Sequence, residues 1–314
     1  MITDIPTEGD FQESGVGFMN LAWENAISLT LNLKEWKLEE ADTDGEIREE
    51  YWKAAQRLLA SGAALAQQGI ELLLKSRIVA SSPFLLIAGD PRAWPSGCDK
   101  TPTPFADFRT IDAQDLMRVH DTVHPKPLSD EFKRNFEKSR RLRNTIFHTV
   151  DRRAKVKVED ILRTIFIASE VLIGPQQWLK RRRQFIEETP ESVPNGGEFS
   201  QALLVRELVQ IIELFGKAEV ERFVGLRQRG RRYLCYWCEH ECRTIFNEHT
   251  AFCAQLSPNE PTSTNLHCFA CGADRKVVRT PCTTKACKSN VIDDEDAVCC
   301  VCYQGQDEWP PAKA

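Results

Sequence analysis

The cysteines constrain the C-terminal part of this chain more than any other residue type. Eleven of the twelve cysteines of the 314 residues lie after residue 234, and eight of them fall in four close pairs: Cys235 with Cys238, Cys268 with Cys271, Cys282 with Cys287, and Cys299 with Cys302. A C-x2-C turn lets two thiolates face one ion, and four thiolates complete a tetrahedral structural zinc site. The pattern therefore favours metal ligation over disulfides.

The pairs can be combined in more than one way. Sequential pairing predicts two sites and about two structural zinc ions per chain, with Cys235, Cys238, Cys268 and Cys271 in one site and Cys282, Cys287, Cys299 and Cys302 in the other. An interleaved cross-brace, in which the first and third pairs share an ion, is also compatible with the spacing, and four thiolates would also suit an iron-sulfur cluster. Three cysteines and three histidines remain as small buried groups or as ligands of a third ion: Cys242, Cys253, Cys300, His240, His249 and His267.

The rest of the chain shows helical rather than strand periodicity. Apolar residues at helical spacing predict helices over residues 15–38, 46–78, 112–123, 128–147 and 158–188, with a long loop rich in Pro, Gly and Ser at 81–104. We expect a helical domain over residues 1–188, followed by a segment over 189–230 that holds a linker (189–198) and a further amphipathic helix (199–228). A metal-binding domain at 231–306 and a tail at 307–314 complete the expected organisation. No strand pattern precedes residue 231.

Charge is distributed unevenly along the chain. The first fifty residues hold 13 acidic and 3 basic side chains, whereas residues 133–157 hold ten basic side chains and two acidic ones. Such a basic stretch is typical of a surface that meets phosphates, although many charge runs only solvate a helix face. No apolar run is long enough to span a membrane, and no basic and apolar leader opens the sequence, so we expect a cytoplasmic protein with no membrane partner.

An arginine falls within the apolar stripe of the fourth predicted helix. At about 100° per residue from Phe132, Arg143 lies near 20°, between Phe136 and Ile146, where an unpaired buried charge would cost several kcal/mol. Three explanations fit this position. They are an ion pair with a carboxylate such as Glu71 or Asp115, a stripe that partly faces a second chain, and a guanidinium that receives a phosphate.

Arg143, Asn144 and His148 spell R-N-x-x-x-H, which resembles the R-x4-6-H signature of the HEPN superfamily of helical proteins, many of which are ribonucleases. The segment GIELLLKS at residues 69–76 resembles the long early helix of such domains. The resemblance covers roughly residues 18–186, about half of the chain. The paired cysteines resemble tandem zinc ribbons, so the expected fold is a mainly helical HEPN-like bundle followed by a small, β-rich zinc module.

The resemblance implies a catalytic site. HEPN ribonucleases generally act as homodimers that bring two motifs together in one composite site without a catalytic metal. His148 would then be the general acid or base, Arg143 would stabilise charge on the scissile phosphate, and Asn144 would fix the imidazole or hold a phosphate oxygen. Glu137 and Arg141 are supporting candidates, and Arg140, Arg152 and Arg153 are candidates for RNA binding.

These features together predict an endoribonuclease whose zinc module targets or regulates it. Prokaryotic HEPN nucleases commonly serve as toxins or in antiviral defence, so the expected partners are RNA, a second copy of the chain, and a regulatory protein or antitoxin. One alternative is a non-catalytic helical scaffold or nucleic-acid-binding protein whose zinc ribbons dock on a partner. Another is a nucleotide-binding member of the superfamily that is regulated by modification.

Overall fold

The computed structural model describes residues 1–37, 45–148, 155–246 and 252–306, without the side chains of Phe147, His148 and Asn195. The chain divides into two compact units, Met1–Pro175 and Gln176–Ala314, called here the N-terminal and C-terminal units. The described part is mainly helical with a small antiparallel sheet, as the sequence predicts. None of the described helices combines the length and apolarity that a membrane span requires.

The N-terminal unit is a helical bundle built around its longest helix. Its helices are α1 (Glu8–Glu35), α2 (Glu46–Val79), α3 (Ala113–Val123), α4 (Asp130–His148) and α5 (Val158–Leu172). The helix α2 packs against each of the other four, and Trp23 on α1 meets Phe166 on α5 edge to face with ring centroids 5.3 Å apart. A short parallel pair of strands, β1 (Ile2–Thr3) and β2 (Thr103–Pro104), joins the chain start to the loop before α3.

Helices α1 and α2 approach each other closely enough for their backbones to touch. A Cβ atom on Gly69 would lie 2.6 Å from Met19 Cγ and 2.7 Å from the Gly15 carbonyl oxygen. A Cβ atom on Gly15 would likewise lie 2.9 Å from the Gly69 carbonyl oxygen. The contact therefore requires glycine on both helices, because any side chain would force the helices apart.

The C-terminal unit begins with helices and ends with a sheet. Its elements are α6 (Trp178–Glu187), α7 (Ser192–Leu214), α8 (Lys217–Val224), α9 (Tyr236–Phe246), β3 (Ala254–Leu256), β4 (Asn265–Cys268), β5 (Asp274–Val278) and β6 (Ile292–Asp293). The strands form one antiparallel sheet in sequence order, in which Leu256 pairs with Leu266 and Val278 with Ile292. The first cysteine pair lies at the start of a helix, so the cysteine-rich part is less β-rich than expected.

A buried ion pair joins α6 to α7 in this unit. Arg182 Nη2 lies 2.8 Å from Glu207 Oε1, and Arg182 Nε lies 3.1 Å from Glu207 Oε2. Both side chains are 1% exposed. The two charges therefore depend on each other, because neither can be solvated by water.

The observed boundaries differ from the predicted ones after the fifth predicted helix. The chain divides at Pro175, whereas the sequence suggests breaks after residues 188 and 230. The predicted helix over 158–188 is interrupted between Leu172 and Trp178, where Gly174 adopts a φ of 147° that favours glycine. Because α6 packs on α7, and α7 on α9, these helices belong with the cysteine-rich part.

Two further segments correct the sequence-based assignment. The predicted linker at 189–198 is helical from Ser192, apart from a break at Gly196 where φ is 67°. The single helix predicted over 199–228 ends at Leu214, and α8 follows after Phe215 and Gly216. Composition indicated a linker here because Pro and Gly are frequent in loops, but Pro is also tolerated in the first turn of a helix.

The first helix also begins earlier than predicted, at Glu8. Thr7 and Asp10 form a capping box, in which the Asp10 amide donates to Thr7 Oγ1 at 3.2 Å and the Thr7 amide donates to Asp10 Oδ2 at 2.7 Å. These bonds satisfy backbone groups that a helix start leaves unpaired. The Thr7 amide and the Thr7 hydroxyl both donate to the Asp10 carboxylate, and these two hydrogen bonds hold the pKa of Asp10 below its usual value.

The glycine contact can be tested with one substitution on each helix. We expect Gly69→Ala to destabilise the chain by about 1–3 kcal/mol, because the new methyl group overlaps Met19 and the α1 backbone. Gly17→Ala is the matched control, since nothing lies within 4 Å of the added Cβ atom, and we expect it to be neutral or stabilising by up to about 1 kcal/mol. Equal free energies of unfolding for the two variants in urea titrations would contradict the contact.

The buried ion pair gives a second prediction. We expect Glu207→Ala to lower the free energy of unfolding by about 3–5 kcal/mol, because it removes the carboxylate that neutralises the buried Arg182 guanidinium. Glu187→Ala is the control: its partner Arg183 lies 3.0 Å away, and the two side chains are 38% and 40% exposed. Removing that exposed pair should cost less than about 1 kcal/mol by the same denaturation measurement.

Candidate metal centres and the arginine-histidine helix

Four cysteine sulfurs meet in the C-terminal unit to form site 1, defined as Cys235, Cys238, Cys268 and Cys271. All four sulfurs lie within 4.8 Å of one another. Cys238 Sγ lies 3.5 Å from Cys268 Sγ, and Cys235 Sγ lies 3.9 Å from Cys271 Sγ. Sulfurs at the corners of a tetrahedron around an ion about 2.3 Å away would be about 3.8 Å apart, so the geometry suits a four-thiolate metal site.

The elements around site 1 explain this arrangement. Cys235 immediately precedes α9 and Cys238 lies in its first turn, while Cys268 ends β4. Cys271 follows in the turn that leads to β5, where Gly272 adopts a φ of 69°. The helix start and the strand turn thus each contribute two thiols from opposite sides.

The remaining four paired cysteines form site 2, defined as Cys282, Cys287, Cys299 and Cys302. Their sulfurs also lie within 4.8 Å of one another, with 3.7 Å between Cys282 and Cys302 and 3.8 Å between Cys287 and Cys299. The structure therefore brings together the two groups expected from sequential pairing and not the interleaved groups. Both groups have only sulfur donors and leave no place for a water ligand, so they suit structural ions rather than catalytic ones.

Polar side chains outside the two groups contact their sulfurs. Gln201 Nε2 donates to Cys238 Sγ at 3.4 Å, and Gln306 Nε2 donates to Cys282 Sγ at 3.7 Å. Thr284 Oγ1 lies 3.8 Å from Cys302 Sγ. Such contacts orient thiolates and share their negative charge. Sequence patterns did not indicate these residues, because they lie outside the cysteine pairs.

The thiols of site 2 differ in how readily they ionise. Burial opposes ionisation of Cys282, but hydrogen bonds with the side chain and backbone of Thr284 bring its pKa down to about 7. Burial raises the pKa of Cys299 to about 12. Metal binding at site 2 would therefore release protons, and affinity should fall as the pH is lowered.

The three leftover cysteines lie in separate buried positions. Cys253 Sγ is 3.7 Å from Cys268 Sγ, whereas Cys242 and Cys300 contact the carbonyl oxygens of Ala202 and Val298. Among the described residues, no third group of cysteine, histidine or acidic side chains gathers closely enough to hold an ion. His240 stacks on a tyrosine, His267 contacts Asp274, and His249 lies outside the described residues. The positions of the described residues thus favour buried thiols over ligands of a third ion.

A patch of basic residues lies around the second and third cysteine pairs along the sequence, and one of its members is neutralised by acidic side chains. The patch comprises Arg275, Lys276, Arg279, Lys285 and Lys288. Arg275 Nη1 lies 3.1 Å from Glu295, 3.7 Å from Asp296 and 4.0 Å from Asp293, and its guanidinium lies 5.3 Å from the Trp237 ring centroid. This arginine therefore holds the loop after β6 and is not free to meet a phosphate.

The helix α4 carries the R-N-x-x-x-H motif in its second half. Phe132 and Phe136 in the first half are fully buried, whereas residues 142–146 are only half-buried. Arg143 Nη1 donates to Asn144 Oδ1 at 3.4 Å, so the first two motif residues contact each other. His148 is the last residue of α4, and its side chain lies outside the described part.

The supporting basic residues have different environments. Arg140 Nη2 lies 2.9 Å from Glu137 Oε2, so Glu137 pairs with Arg140 rather than with Arg141. Arg141 is exposed. The other two candidates for RNA binding, Arg152 and Arg153, lie outside the described residues.

Comparisons with protein-family models, with curated proteins and with solved structures gave no match to this chain. What the chain does is therefore inferred from its residues and their geometry.

The ligand sets can be tested by counting bound metal. We expect native mass spectrometry to find about two ions per chain in the wild type and one fewer in Cys238→Ala, because each site needs four thiolates. Cys253→Ala and Cys300→Ala should keep both ions, since their sulfurs are outside the two groups. Loss of an ion from Cys253→Ala would make Cys253 a ligand and contradict the assignment of site 1.

Proposed function

We propose that the chain is a metal-independent endoribonuclease of the HEPN type that acts as a homodimer. The observation that carries the proposal is the position of Arg143 and Asn144, which lie half-buried and in contact on a helix that ends at His148. A half-buried guanidinium in an otherwise apolar stripe is well placed for an anion, because partial burial strengthens its attraction for phosphate.

Charge around the motif supports RNA as the anion. Residues 133–157 hold ten basic side chains and only two acidic ones, and Arg141 is exposed on α4 beside the motif. One acidic residue of this stretch, Glu137, is already paired with Arg140. Exposed cations along one helix attract a phosphate backbone without selecting a sequence.

The proposed reaction is transesterification at a phosphodiester. The ribose 2'-oxygen attacks phosphorus and loses its proton to a base, while the 5'-oxygen leaves and takes a proton from an acid. The His148 side chains of the two chains would supply these two proton transfers, since imidazole titrates near neutral pH. Arg143 would stabilise the extra negative charge on the phosphate oxygens, and Asn144 would hold the guanidinium in position.

The C-terminal unit has a structural and targeting role in this proposal. Sites 1 and 2 would hold zinc, which suits four thiolates and brings no redox chemistry. The unit would dock a regulatory protein or an antitoxin, and the nuclease would act in the cytoplasm as a toxin or in antiviral defence.

Cleavage assays test the nuclease directly. We expect the purified wild-type dimer to cut pooled cellular RNA and leave 2',3'-cyclic phosphate ends, with no loss of rate in EDTA. Arg143→Ala and His148→Ala should each slow cleavage by about 10²–10⁴-fold, because each removes a group that acts only in the transition state. Mapping and counting the ends by sequencing gives the rates.

Arg134→Ala is the matched control, since Arg134 is an exposed arginine on the same helix outside the motif. It should retain cleavage within a few-fold. Equal cleavage by Arg143→Ala and Arg134→Ala would contradict the proposed site. RNA that is bound but left intact by a wild-type dimer would favour the non-catalytic nucleic-acid-binding alternative.

A further inference from the structure

A cavity of about 230 Å³ lies between α2, α4 and α5 in the N-terminal unit. Its apolar wall includes Ala63 and Ala66 on α2 and Leu142 on α4. Small residues on α2 leave room between the three helices, and this room accounts for the cavity. The polar part of the lining comes from Lys138, Ser139, Lys155, Asp160 and Thr164.

The size of the cavity limits its occupant. Pockets for drug-sized ligands have volumes of roughly 300–1,000 Å³, so this cavity of about 230 Å³ fits a smaller group. Proteins that read single-stranded RNA place individual splayed-out bases in such pockets, with apolar contacts to the ring and hydrogen bonds to its edge. Here the alanine and leucine side chains supply apolar contacts to a ring, and the hydroxyls and the carboxylate supply hydrogen bonds to its edge.

A donor and an acceptor stand side by side at the cavity. Lys138 Nζ lies 3.1 Å from Asp160 Oδ1, and the two side chains are 71% and 39% exposed. An ion pair this open to water is weak and can be opened by a ligand at little cost. Cytosine presents an amino donor beside a ring nitrogen acceptor, and a carboxylate that accepts from this amino group is a common way to recognise cytosine.

The cavity is close to the proposed catalytic turn along α4. Ser139 and Leu142 line it, and Leu142 immediately precedes Arg143. The rise of an α-helix places Arg143 about 6 Å beyond Ser139 along the axis. Lys155, which is exposed beside the cavity, would attract the phosphate of the same nucleotide.

We propose that this cavity is a subsite for a cytosine base of single-stranded RNA, next to the phosphodiester that Arg143 receives. Asp160 accepts a hydrogen bond from the amino group of the base, and Lys138 donates to its ring nitrogen. The subsite rests on the proposed function for the identity of its polymer, because the basic residues of α4 and the motif are what point to RNA.

A binding assay separates this subsite from catalysis. The full-length His148→Ala protein is titrated into labelled oligocytidylate and oligouridylate of equal length, and fluorescence anisotropy gives the two affinities. We expect oligocytidylate to bind about tenfold more tightly, and Asp160→Asn to reduce that ratio, because the neutral amide oxygen is a weaker acceptor than the carboxylate and the amide can turn its NH2 group toward the base. Glu159→Gln removes the neighbouring carboxylate, which does not line the cavity, and should keep the ratio.

Two further variants sharpen the assay. Lys138→Met should also reduce the preference for oligocytidylate, and it guards against a folding defect peculiar to Asp160→Asn. Lys155→Ala should weaken both oligonucleotides by the same factor, since a lysine on a phosphate carries no base selectivity.

The proposal is overturned if the two oligonucleotides bind equally, or if Asp160→Asn leaves the preference unchanged. Cytidine monophosphate provides an independent arm, because a free nucleotide offers the same base and phosphate. Binding of the mononucleotide without binding of oligocytidylate would overturn the assignment to RNA. A protein that prefers oligocytidylate but whose wild type cuts no RNA would retain the subsite and refute the nuclease.

Discussion

The direct contact of α1 with α2 at Gly15 and Gly69 is the constraint on which the N-terminal unit depends. Because the two backbones touch there, α2 is held along the side of α1, and its other faces remain available for α3, α4 and α5. The position of α4 on α2 in turn fixes which residues of α4 are buried. Phe132 and Phe136 are fully enclosed, whereas Arg143 and Asn144 lie where the cover is incomplete.

The C-terminal unit is held by a different kind of interaction. Its last fifty described residues contain only short strands, and the two four-cysteine groups would, with metal bound, tie these strands and the start of α9 together. The helical part of the unit contributes the buried pair of Arg182 and Glu207 and the Gln201 amide that reaches Cys238. Metal ligation and helix packing would thus support each other, because the Gln201 side chain on α7 donates a hydrogen bond to the sulfur of Cys238 in site 1.

Local patterns predicted most helices of the N-terminal unit and the four cysteine pairs. Of the features that were missed, two have local signals and one depends on distant contacts. The start of α1 could have been predicted from Thr7 and Asp10, which form a capping box within four residues. The break at Gly174 and Pro175 is also a local signal, typical of a turn. The assignment of α6 and α7 to the C-terminal unit could not have been predicted, because it depends on their packing with α9.

The sequence by itself determined the helical periodicity, the four cysteine pairs and the spacing of Arg143, Asn144 and His148, because each of these follows from residues only a few positions apart. Only the tertiary structure decided that the cysteines combine sequentially, that Arg275 is neutralised by three carboxylates, and that a cavity opens between α2, α4 and α5. The physical reason is that burial, charge pairing and free volume arise from residues far apart in the chain, which come together only when the helices and strands pack.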